Sequence, residues 1–101
     1  MSESITKGRT DTKRKTARPP LYRVMLLNDE YTPREFVVLV LKSVFRLTED
    51  EAGVRMMTAH QKGVSVIAVY TSEIAEAKAT EAVDLARDAG FPLMFIVEPE
   101  D

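Results

Sequence analysis

The chain has 101 residues, 45% of them hydrophobic, no cysteine, and a formal net charge of −2. That length closes one small core, and without cysteine there is no disulfide framework, thiolate nucleophile or cysteine zinc site. The longest near-continuous apolar run, Phe36–Leu41, is too short for a bilayer, and the N-terminus lacks a secretory apolar stretch, so a soluble cytoplasmic protein is expected.

The charge is unevenly spread. Residues 1–18 hold six Lys/Arg against two Asp/Glu, a balance of +4, while the remainder holds eight against fourteen, or −6. The first stretch is polar, Thr-rich and nearly free of large apolar side chains, so residues 1–19 are expected to form a flexible, disordered basic extension. The folded domain is expected over 20–101. A basic tail allows a second reading, a nucleic-acid or ribosome-associated binding module. Against it, the body offers no basic face and the tail has no aromatic side chain on which a base could stack.

Past Pro19-Pro20 the pattern turns regular. Leu21–Leu27 puts Tyr22, Val24 and Leu26 on one side, as a half-buried strand does. Thr32-Pro33-Arg34-Glu35 reads as a helix start, with Thr32 as N-cap, proline first and Glu35 closing a capping box. The helix runs to about Arg46, with Val37, Val40, Leu41, Val44 and Phe45 at helical spacing. Thr48–Glu51 is a second capping box, opening a helix that reaches about His60. A turn at Lys62-Gly63 precedes Val64–Tyr70, a strand so evenly apolar that it is expected at the centre of the sheet. Ser72 is expected to cap a third helix ending before Gly90, a suitable C′ residue. Leu93–Val97 is the last strand. The order β-α-α-β-α-β predicts an α+β fold: a three-stranded antiparallel sheet packed against three helices in two layers.

The polar segment before the first helix, Asn28-Asp29-Glu30, is richer in acceptors than a turn requires. An amide and two carboxylates beside apolar surface suit a ligand with a cationic end and a hydrophobic body, although Asn and Asp also favour ordinary turns. His60, the only histidine, shares a helix face with Ala52, Met56 and Ala59. One imidazole with the thioethers of Met56 and Met57 is a poor ligand set, so no metal or other cofactor is expected. A small hydrolase using His60 with Asp29 or Glu30 is conceivable, but there is no nucleophile elbow and no Gly-rich phosphate loop. Nothing in the sequence requires an enzyme.

The run Arg23-Val24-Met25-Leu26-Leu27-Asn28-Asp29-Glu30-Tyr31-Thr32-Pro33-Arg34-Glu35-Phe36-Val37 resembles the signature of ClpS, the adaptor family of the Clp ATP-dependent protease. Met56–Gly63, Tyr70–Lys78 and Phe91-Pro92-Leu93 continue the resemblance, which covers about residues 20–98. It implies an adaptor that binds N-degrons, proteins whose first residue is Phe, Tyr, Trp or Leu, and delivers them to the Clp ATPase chaperone. By the same resemblance, Asn28, Asp29 and His60 would hold the substrate's α-ammonium, Asp29 partly through water. Glu30, Thr32 and Arg34 would stand at the pocket entrance, and Val37, Met56, Ala59 and Leu93 would wall the side-chain pocket. Glu73 and Lys78 would contact the N-terminal domain of the chaperone, with the extension entering its pore. A monomer is expected, with no catalytic residue, nucleic acid or membrane involved. Two positions depart from the family pattern: Arg34 stands where methionine is usual, and Ala59 where a bulkier residue is usual.

Overall fold

The structure, a computed structural model, describes residues 18–100, so the expectations for the basic extension lie almost wholly outside the described residues. Three strands and three helices follow in chain order: β1 (Leu21–Leu27), α1 (Arg34–Phe45), α2 (Glu49–Lys62), β2 (Val64–Thr71), α3 (Ser72–Asp88) and β3 (Met94–Pro99). The sheet is antiparallel throughout with strand order β2-β1-β3, and the helices cover one of its faces.

The central strand is therefore β1, not β2 as the sequence led us to expect. Val24 and Leu26 are buried in the inward row of β1, beside Phe95 of β3 and beside Ala68 and Ser65 of β2. A register shift between Val24 and Met25 makes Ile67 an extra residue on β2 and keeps it in the core. The uniform apolarity of β2 has another origin. Val64, Val66 and Val69 lie opposite Leu27, Met25 and Arg23 on the sheet face away from the helices, where Val69 and Met94 are exposed. Continuous apolar sequence marks two used faces, and it does not distinguish a central strand from an edge strand backed by an apolar outer row.

The helical layer is built from small and branched side chains. Val37, Val40, Leu41, Val44 and Phe45 of α1 are buried, as their spacing predicts. In α3 the buried positions are all alanine (Ala75, Ala79, Ala82 and Ala86), which lets that helix lie close on the sheet. Phe45 meets Phe95 with ring centroids 5.4 Å apart, and Phe36 meets Phe91 at 4.8 Å, tying α1 to the last strand and the loop before it.

Two of three expected caps differ from the sequence reading. The Thr48–Glu51 box is present: the Thr48 hydroxyl accepts from the Glu51 amide, and Glu51 accepts from the Thr48 amide. Those bonds hold the Glu51 carboxyl below its usual range, the backbone bond contributing most. The box at Thr32–Glu35 does not form. Pro33 is the N-cap, with no side-chain cap bond, because Asp29 draws the Thr32 hydroxyl away. Thr71 rather than Ser72 is the N-cap of α3, also without a side-chain bond. Gly90 closes α3 as expected, at φ +88°. Its N–H and that of Phe91 donate to Arg87 and Ala86, the paired bonds of a Schellman end.

Candidate functional site

Ten residues singled out by the sequence line one cavity of about 300 Å³, at the lower end of the roughly 300–1,000 Å³ range of ligand sites. Asn28, Asp29, Glu30 and Thr32 come from the β1–α1 loop, Arg34 and Val37 from α1, Met56, Ala59 and His60 from α2, and Leu93 from the entry to β3. Leu26 and Leu27 also line it and were not anticipated. They are the last strand residues before the polar loop, so one chain segment supplies wall and rim, but their pattern is that of any strand residue.

The apolar wall follows from helix spacing. Met56 and Ala59 lie one turn apart on the inner face of α2, and Ala59 is buried beside Val37 and Leu93. His60, the next residue along, reaches the solvent edge. The Asn28 N–H donates to the Gly63 carbonyl at 3.0 Å, fastening the acceptor loop to the C-terminal end of the helix that carries His60.

Asp29 is the organiser of that loop. Its Oδ1 accepts from the Tyr31 and Thr32 amides, each at 2.8 Å, and the Thr32 hydroxyl lies 3.0 Å from Oδ1 and 2.9 Å from Oδ2. The ordinary-turn account of this segment is visible, and the same carboxylate folds the loop that frames the cavity. Its Oδ2 keeps accepting capacity beyond the Thr32 bond.

Across the mouth, the Arg34 guanidinium stands 3.0 Å from Nε2 of His60, and both residues are exposed. The rim therefore carries acceptors, a single imidazole and a cation, above an apolar floor. Such a site can orient a small charged group and bury an apolar one. Among the described residues, no group of three or more His, Cys, Asp or Glu side chains could hold a metal ion, and no helix is long and apolar enough to cross a membrane.

The family model for the ATP-dependent Clp protease adaptor protein ClpS matches residues 17–96. The chain belongs to the ClpS family. ClpS 1 of Bradyrhizobium diazoefficiens is 52% identical over 101 residues, and ClpS 2 of Rhizobium meliloti is 56% identical over 102, each covering all of both chains. Among solved structures, Agrobacterium tumefaciens ClpS2 bound to L-phenylalaninamide is 63% identical, with a TM-score of 0.81 over 82% of this chain and 100% of that one. As a ClpS-family chain, this protein is an adaptor of the Clp protease, and its relatives are named as adapters.

The two remaining sequence candidates lie away from the cavity, on the first turns of α3. Glu73 is exposed. Lys78 is half-buried, and its Nζ donates to the Val44 carbonyl at 3.0 Å, satisfying a free acceptor near the C-terminus of α1. Lys78→Ala is therefore expected to lower the unfolding free energy by about 1 kcal/mol. In a domain of this size that is a fall of roughly 4–8 °C in the thermal midpoint, which circular dichroism would read. An unchanged midpoint would remove this structural role.

Proposed function

We propose that this adaptor recognises the free N-terminus of proteins beginning with Phe, Tyr, Trp or Leu and hands them to the Clp ATPase chaperone in the cytoplasm. The observation that carries this is the ligand of the 63% identical relative, L-phenylalaninamide, set beside the cavity here. That ligand has an α-ammonium, a large apolar side chain and an amide where a peptide would continue. The cavity offers acceptors at its rim and apolar walls beneath.

An α-ammonium brings three N–H donors and no acceptor. In this reading Asn28 and His60 accept directly, and Asp29 accepts through water at Oδ2. Glu30 and Thr32 stand beside the first peptide unit, and Arg34 completes the entrance. Val37, Met56, Ala59 and Leu93 enclose the first side chain, whose burial stabilises the complex by roughly 1.5–3 kcal/mol. Glu73 and Lys78 meet the N-terminal domain of the chaperone, and the extension of residues 1–19 enters its pore. The adaptor acts as a monomer, and proteolysis is the partner's chemistry.

The test is calorimetric titration with a Phe-headed peptide and its N-acetylated twin. Acetylation removes the charge and two of the three donors while leaving the side chain intact. A loss of at least about tenfold in affinity is expected, since two acceptors lose their donors and each unsatisfied group costs about 1–3 kcal/mol. Equal binding of the two peptides would refute recognition of the α-ammonium.

A further inference from the structure

We propose that Arg34 competes with the substrate's α-ammonium for His60, and that an acidic second residue in the substrate relieves this competition. The proposal deepens the reading above and rests on it. Its starting point is the 3.0 Å contact between the Arg34 guanidinium and Nε2 of His60. A guanidinium has donors only, so Nε2 must be the acceptor, and a neutral ring then carries its hydrogen on Nδ1. In that arrangement the imidazole has no lone pair left to offer. An α-ammonium, also a donor alone, finds one nitrogen occupied and the other donating. Arg34 thus fills from within the place at His60 that the ligand must take, and it has to withdraw before the ligand can bind there.

Among the described residues, no carboxylate is ion-paired with Arg34, so the withdrawn guanidinium leaves no standing partner behind. The ion pairs among the described residues join Arg23 to Glu98, Lys42 to Glu49 and Arg87 to Asp84, and none includes Arg34. Arg34 is the first residue of α1, so its stem stays at the mouth whichever way the fork turns. The substrate's second residue leaves the cavity at that mouth. A carboxylate there can take the freed fork as a bidentate partner, whereas a lysine there meets like charge. Two acids share the rim and act against this preference. The Asp29 carboxylate is directed into its own turn by Tyr31 and Thr32. Glu30 is exposed and favours a basic second residue. The preference of the native protein is the balance of Arg34 against Glu30, and substitution of Arg34 isolates its share.

The full chain and its Arg34→Met variant are compared by fluorescence anisotropy with three peptides that differ only at residue two: Phe-Glu, Phe-Ala and Phe-Lys. With the competitor removed, Phe-Ala should bind Arg34→Met about fivefold tighter than the native chain, the scale of one hydrogen bond. The native chain should favour Phe-Glu over Phe-Lys by roughly threefold, as an exposed pair allows, and the order should reverse in Arg34→Met, where Glu30 acts alone. Nitrogen NMR of the single histidine supplies a readout without ligand: the native ring should be the Nδ1–H tautomer, and the variant should move towards Nε2–H. Unchanged or weaker Phe-Ala binding by Arg34→Met, or the same Glu-to-Lys ratio in both proteins, overturns the proposal while leaving the adaptor reading intact. Failure of every Phe-headed peptide to bind either protein overturns both.

Discussion

Ala59→Leu is expected to weaken binding of a Phe-headed peptide by roughly 10- to 150-fold while leaving the rim untouched. Ala59 is only 2% exposed and forms part of the wall of a cavity of about 300 Å³. A leucine there adds bulk at the cavity wall, in the space that the first side chain would fill under the proposed function. The loss follows from excluding that side chain, whose burial contributes roughly 1.5–3 kcal/mol. Leucine is a strong helix former, so α2 should persist, and an unaltered far-ultraviolet spectrum would confirm it. The rim acceptors remain, so peptides beginning with alanine should change little. Undiminished affinity for the Phe-headed peptide would show that its side chain lodges elsewhere.

Leu41→Ala is expected to lower the unfolding free energy by about 2–5 kcal/mol, the range for deleting most of a buried leucine. Leu41 is fully buried, in the middle of the inner face of α1, with Val40, Val44 and Phe45 buried around it. Urea titration should show the midpoint falling with little change in slope, because the surface exposed on unfolding is nearly the same. The cost bears on function, since α1 supplies Val37 and Arg34 to the cavity, and a loosened helix displaces both. A loss below about 1 kcal/mol would mean that neighbouring groups collapse into the space, against the close packing of this layer.

The positions and types of the elements were legible because the patterns were local. Apolar residues at helical spacing marked α1, alternation marked β1, and Gly90 marked the end of α3. Errors arose wherever two local rules competed for one group. Thr32-Pro33-Arg34-Glu35 and Thr48–Glu51 look alike as capping signals, yet only the second forms. The first lies three residues after an aspartate whose carboxylate draws the same threonine hydroxyl. Sequence states both options and does not rank them. Strand order was hidden for a different reason, because β2 is apolar on both faces while only pairing partners decide which strand is central. At the cavity, polar residues standing out against apolar neighbours were conspicuous, whereas Leu26 and Leu27 were indistinguishable from ordinary strand residues. The Arg34–His60 contact joins positions 26 residues apart and depends on how α1 and α2 pack, which no short-range pattern encodes.

The bond from the Asn28 amide to the Gly63 carbonyl has a mechanical consequence. It couples the two jaws of the opening, one a loop and the other a helix end, so the main chains that carry the amide and the imidazole are held like the arms of a locked caliper. A guest then meets main chains already set in place, and the adjustment left to the host is in its side chains, Arg34 first among them. Under the proposed function, discrimination between chain heads would rest on width at the jaws as much as on charge.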